Sequence, residues 1–231
     1  MIQSVFAIGL SLARVTIARI LVAPFAIVWV AMAWVSMACA DTGHPKFTLD
    51  GNRLIYDTVN VPEDVVDDIE DEDVTVLRAL LQTNPGIEVL ELNSEGGSLW
   101  ASHDIADIVI DFEIATHVNG ECSSSCPRIF LAGFVRTMSR GSRIGFHQTG
   151  WSPRNVRSYY ESEAEYEGWA DPFEYGSWIY QDTQAEMHES LLYMVRRGVD
   201  PLFAIETLKS PPGSMWYPYR ARLLAAGVLT E

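Results

Sequence analysis

Gly120-Glu121-Cys122-Ser123-Ser124-Ser125-Cys126-Pro127 opens the stretch that decides how this chain reads. It runs on through an apolar segment to Gly133 and closes on Ile144-Gly145-Phe146-His147. A serine at a strand-to-helix turn presents its hydroxyl outward, with the unsatisfied N–H groups of the helix behind it. A histidine that ends a nearby strand supplies a base once the fold brings the two together. Upstream, Leu90-Glu91-Leu92-Asn93-Ser94-Glu95-Gly96-Gly97-Ser98 reads as a strand and then a glycine turn, whose backbone N–H groups can face an oxyanion. Three consecutive serines leave the register open among Ser123, Ser124 and Ser125, and serine is also a common helix N-cap. Ser124 is preferred because it lies midway between the two cysteines and four residues after Gly120.

Outward from this stretch, strand and helix alternate. Leu54–Val59 reads as a strand. Pro62 suits the first turn of a helix that runs to about Gln82 and is stopped by Asn84-Pro85-Gly86. Ile87–Leu92 is a strand, Leu99–Ile110 a helix and Ile114–Val118 a third strand. Gly120 then turns the chain into the Ser124 helix, which ends near Gly133, and Val135–Met138 and Arg143–Phe146 are two short strands. Such alternation predicts an α/β fold with parallel pairing and crossover helices. Trp151–Tyr180 is rich in aromatics and acids with weak periodicity, and two readings of it stand: an oligomer contact or substrate groove, and a lid packed on its own domain. Gln181–Arg197 carries Met187, Leu191, Met194 and Val195 on one helical stripe, and Asp200 before Pro201 is a plausible N-cap.

The run Asn93-Ser94-x-Gly96-Gly97-Ser98, then Gly120-x-x-x-Ser124, then Gly145-x-His147-Gln148 resembles the proteolytic subunit of the Clp protease and, more broadly, the Clp/crotonase superfamily. Within that group it is most similar to exported bacterial members with a Cys-x-Ser-x-Cys segment. The resemblance is good from about Leu54 to Phe146, thins from Gln148 to Pro212, and returns weakly at Met215–Thr230. It implies a β/α superhelix with a short parallel-strand core. It implies Ser124 as nucleophile, His147 as base, and the backbone N–H groups of Gly97 and Ser125 as the oxyanion hole. It further implies a peptide or unfolded-protein substrate, a homo-oligomer, and an arm over residues 151–180. The aspartate that the family places before its Met-Ser-like tail falls here near Gly213 or Ser214, and no acid lies between Thr207 and Thr230. Either a Ser–His dyad operates or the acid comes from elsewhere, with Asp200 and Glu206 as candidates.

The other histidines compete with His147. His44 lies in the segment expected to be a linker, while His103 and His117 lie in a helix and a strand, where a hydrogen-bonded structural histidine is the commoner outcome; His188 is the fourth. His147 ends a strand and begins a loop, a usual place for catalytic groups.

The 231 residues carry 31 acids against 16 Lys and Arg, a net charge of −15. The first forty hold no acid, Arg14 and Arg19, and an apolar run from Ile20 to Met37 ending Ala38-Cys39-Ala40. That pattern reads as a secretory signal peptide over residues 1–40, followed by a linker over 41–53 and a catalytic domain over 54–231. The competing reading is an uncleaved inner-membrane anchor facing the periplasm, since the run approaches the length of a span. Cys39 as a lipid-bearing residue is a third reading, poorly served by the residues before it. The remainder is more acidic than the whole, which argues against nucleic acid and anionic lipid as partners. The acids at Glu63–Asp73 and Glu161–Glu174 read as solvated faces, with no calcium-loop spacing.

In an oxidising compartment Cys122 and Cys126 pair more readily than they stay free; the alternative is two small side chains packed beneath the serine. Too few further ligands stand at zinc spacing. These readings combine into an exported, periplasmic serine hydrolase of peptidase type. It calls for no metal, nucleotide or other cofactor and no cytosolic ATPase partner. The rival is a catalytically degenerate scaffold used for binding or assembly. Action on an acyl thioester is disfavoured by export away from coenzyme A.

Overall fold

The computed structural model describes residues 40–231. The signal-peptide reading, with Arg14, Arg19, the Ile20–Met37 run and Cys39, lies outside the described residues. A seven-stranded sheet organises the rest, in the spatial order β1 (Ala40–Asp41), β2 (Phe47–Asp50), β3 (Arg53–Asp57), β4 (Val89–Ser94), β5 (Ala115–Ser123) and β6 (Arg136–Met138); β7 (Arg143–Gly145) pairs with the far end of β5. β1, β2 and β3 are antiparallel, and every pairing from β3 to β7 is parallel. The expected α/β architecture with a parallel core is therefore the one the chain adopts.

Parallel neighbours need long crossovers, supplied here by α1 (Asp71–Thr83), α2 (Leu99–Asp111) and α3 (Cys126–Ala132). Leu77 and Leu81 of α1, Ile105 and Ile108 of α2, and Ile129 and Phe130 of α3 share one buried cluster with Leu90, Leu92 and Val118 of the sheet. Burial alternates along these strands: in β3 Leu54 and Tyr56 are buried between half-buried Arg53, Ile55 and Asp57, and in β5 Thr116 and Val118 are buried while Ala115 and His117 are half-buried, so one face is fully covered and the other less so.

Three boundaries differ from the sequence reading. Residues 41–53 are not a linker: Phe47 is buried in β2 and stacks on Tyr56 of β3 with ring centroids 4.6 Å apart. Pro62 does not start α1, which begins at Asp71, because Ile69 is drawn into a parallel bridge with Gly97. Nor does Gly120 end β5. Pairing shifts between Leu92–Val118 and Ser94–Cys122, so the longer stretch of β5 bulges. Gly120 takes up the bulge at φ +121, where a Cβ would lie 2.3 Å from Asn93 Oδ1.

The aromatic segment forms a helical hairpin of α4 (Pro153–Glu167) and α5 (Pro172–Arg196), the latter continuous with the predicted 181–197 helix. Ser152 and Asp171 cap the two N-termini, and Gly168 closes α4 in the left-handed region. Tyr159, Trp169, Tyr175 and Trp178 pack on one another between the helices, with ring centroids 4.8 to 6.3 Å apart. The predicted Asp200 cap holds α6 (Pro201–Glu206), accepting from Phe203 N at 2.9 Å. After α7 (Arg220–Ala225), buried Arg136 fastens the tail by donating to the carbonyls of Gly227 and Val228 at 2.8 and 2.9 Å.

Candidate active site

β5 ends at Ser123 and α3 begins at Cys126, so Ser124 and Ser125 carry the chain from strand to helix. Ser124 sits at φ +60, in the left-handed region that an L-residue enters only under constraint. The constraint has two visible parts. A disulfide joins Cys122 to Cys126 with Cα atoms 5.2 Å apart, closing the turn into a small ring. Gly96 then lies so close that a Cβ there would stand 2.6 Å from Ser124 Cβ. The result is an exposed Ser124 hydroxyl between a buried Ser123 and a buried Ser125.

The glycine turn follows the end of β4 and is held by Ile69. Ile69 N donates to Gly96 O and Ser98 N to Ile69 O, both at 2.8 Å. A Cβ on Gly97, at φ +143, would lie 2.2 Å from Ile69 N, so only glycine fits. Ser125 Oγ donates to Gly97 O at 3.3 Å and ties the two turns together. Among the described residues neither Gly97 N–H nor Ser125 N–H donates to any other group. Two unspent backbone donors thus border the same cleft as the Ser124 hydroxyl.

His147 follows β7 and is gripped on both sides by the C-terminal segment. Phe146 and Trp216 exchange two backbone hydrogen bonds of 2.9 Å, and Gln148 N donates to Ser210 O at 2.8 Å. This grip sets His147 Nε2 2.7 Å from Ser124 Oγ. The other ring nitrogen, Nδ1, is shut off from water and has no hydrogen-bond partner among the described residues. Neither candidate acid serves it: Asp200 is the cap of α6, and Glu206 pairs with Arg222 at 2.8 Å. The other histidines separate cleanly. His117 bonds Thr137 and Ser139 at 2.7 and 2.9 Å, His188 is exposed, and His44 accepts from Lys46 N at 3.4 Å. His103, expected to be hydrogen-bonded, instead lines the cleft with Nε2 buried and unpartnered.

A carboxylate beneath the site escaped the sequence reading. Glu121 Oε1 accepts from Ser123 Oγ and from Tyr217 OH, each at 2.5 Å, and Oε2 accepts from Arg143 Nε at 2.7 Å. It links the nucleophile's strand to β7 and to the residue after Trp216, hence to both supports of the Ser124–His147 pair. No local pattern announces it, since its three donors lie on different elements.

Around the pair opens a cleft of about 1040 Å³, walled on one side by α2 and α3 and on the other by α4 and α5. Asp182, Glu186 and Glu189 of α5 line it, with Arg128 on the α3 side. Burial raises the Glu186 carboxyl above its ordinary value against the hydrogen bond from Thr149.

No family model matches this chain, and no curated protein matches it. Among solved structures it is similar to a mutant of ClpP1 from Listeria monocytogenes, at 16% identity and a TM-score of 0.48, over 71% of this chain and 85% of that one.

Proposed function

We propose that the protein is a serine hydrolase acting on peptide bonds through a Ser124–His147 dyad. One observation carries this reading: an outward serine hydroxyl at a strained strand-to-helix turn, 2.7 Å from His147 Nε2, beside two backbone donors with no other partner. Ser124 Oγ attacks the scissile carbonyl carbon while His147 Nε2 takes its proton. The carbonyl oxygen, now an oxyanion, accepts from Gly97 and Ser125 N–H. The C–N bond then breaks as His147 returns the proton to the leaving amine. Water, deprotonated by the same nitrogen, releases the acyl group and restores Ser124.

Nε2 can accept only in the tautomer with its proton on Nδ1, and among the described residues no carboxylate holds Nδ1. Loss of that acid costs about 10⁴-fold in a full triad, so turnover should be slow. The leader-like first forty residues support export to the periplasm, where the work is ATP-independent and substrates are short or already unfolded chains. The aromatic hairpin supports self-association. Incubation with a fluorophosphonate tests the chemistry: Ser124 should be labelled, Ser124→Ala should abolish labelling, and His147→Ala should slow it at least about a hundredfold. Unlabelled native protein, or label equally fast without His147, would sink the proposal.

A further inference from the structure

Arg128 is the one Lys or Arg among the described residues that line the cleft, and it stands one helical turn past the serine pair, its own N–H bonded to Ser125 O at 3.2 Å. Buried Arg136 and half-buried Arg197 give their donors to backbone carbonyls, and Arg53, Arg143 and Arg222 are each ion-paired. Arg128 is not. Among the described residues its guanidinium makes no hydrogen bond and no ion pair, and its Nε is closed off from water without a partner. What it has is the ring of Tyr193, with Cζ 4.1 Å from the centroid.

Stacking uses the face of a guanidinium and leaves its in-plane donors unspent, in the fork that matches a carboxylate. Nε is closed to a ligand as it is to water, so the donors open to the cleft are the two terminal nitrogens, which among the described residues make no hydrogen bond. Beside it, His103 Nε2 is also buried and unpartnered on the same wall. We infer that Arg128, with His103 beside it, binds a substrate carboxylate close to the scissile bond. The inference rests on reading the cleft as a peptide site and adds what that site selects. Burial and the Arg128 charge push the His103 imidazole down to about 4, so at neutral pH it is a neutral hydrogen-bonding partner and does not compete as a cation. Burial pulls the Arg128 guanidinium below its ordinary value, and Tyr193, Asp107 and Glu189 offset part of that without an ion pair. With Asp182 and Glu186 across the cleft, Asp107 and Glu189 make a polyanionic ligand unwelcome. The fitting ligand is a peptide with a single carboxylate there, from its C-terminus or from an acidic side chain.

Binding is measured by fluorescence anisotropy on the full exported chain carrying Ser124→Ala, which cannot turn over. The probes are three tetrapeptides carrying an uncharged 7-methoxycoumarin label at the N-terminus: tetra-alanine as the free acid, tetra-alanine amide, and Ala-Ala-Glu-Ala amide. At least one of the two carboxylate-bearing peptides should bind about tenfold or more tighter than tetra-alanine amide. The preferred one identifies the source. Adding Arg128→Gln should erase the preference, while Arg128→Lys, which keeps the charge, should retain part of it; circular dichroism reports whether each variant is folded. Equal affinity for all three peptides, no binding of any, or a preference that survives Arg128→Gln in folded protein overturns the inference. Because nothing is cleaved in this assay, failure of native protein to hydrolyse peptides would count against the hydrolase reading and leave the carboxylate site standing.

Discussion

Gly96 is the glycine packed directly against the nucleophile. A methyl group there would press 2.6 Å from Ser124 Cβ and 2.9 Å from Ser123 O, at a φ of +116 that side chains rarely adopt. Gly96→Ala should move the Ser124 hydroxyl away from His147 and slow fluorophosphonate labelling on the order of a hundredfold, more than any unfolded fraction explains. Labelling at the native rate in Gly96→Ala would show that the turn tolerates displacement. Glu121 governs a different property. Burial pushes its carboxyl up, but the hydrogen bonds from Ser123, Tyr217 and Arg143 outweigh burial and hold it below its ordinary 4.5. The unfolded chain therefore takes up this proton at a higher pH than the folded one. The stabilisation is complete above the ordinary value and fades as pH falls through the lower, folded value. Glu121→Gln should cost about 1–3 kcal/mol at neutral pH and progressively less in acid, so urea midpoints of variant and native protein converge as pH drops. Parallel midpoints at all pH values would remove Glu121 from the acid response. Serine, histidine and glycine turn could be picked out in the sequence because each stands in a local motif. Glu121 and Arg128 could not: what marks them is the donors one collects from three elements and the partners the other lacks.

At the scale of elements, the central strands and crossover helices were legible because strand alternation and helical spacing are local signals. The start of α1 and the bulge in β5 were not, since each depends on a contact far along the chain, Ile69 with Gly97 and Gly120 with Asn93. The meeting of Ser124 and His147 depends likewise on the Phe146–Trp216 pairing. The disulfide between Cys122 and Cys126 acts on the turn joining β5 to α3. Closing so short a loop removes little entropy from the unfolded chain, about 2 kcal/mol in the chain-entropy account. Replacing both cysteines by alanine should therefore lower the melting temperature modestly and slow labelling of Ser124 by a larger factor. A large loss of stability with labelling unchanged in the folded fraction would make the bridge a staple and not a positioning device.

Across the whole molecule, the hairpin of α4 and α5 leaves Tyr166, Phe173 and Tyr180 outside its aromatic cluster, each at least 70% exposed. Apolar surface of this kind is ordinarily covered in a symmetric homo-oligomer. Light scattering on the purified protein should show one, and Phe173→Asp with Tyr180→Asp should shift it toward monomer while labelling of Ser124 persists. A monomer at high micromolar concentration would leave the hairpin as a cover for the cleft. The first strand carries a consequence of another kind. Ala40 and Asp41 are zipped against Leu49 and Thr48, so the bond expected to be cut on export lies inside a ladder. A processing peptidase needs that bond extended and unpaired. Were a leader removed at that bond, cleavage would have to precede the pairing of the first strand, and the order of events in time, not only the residues around the junction, would decide whether the chain is released.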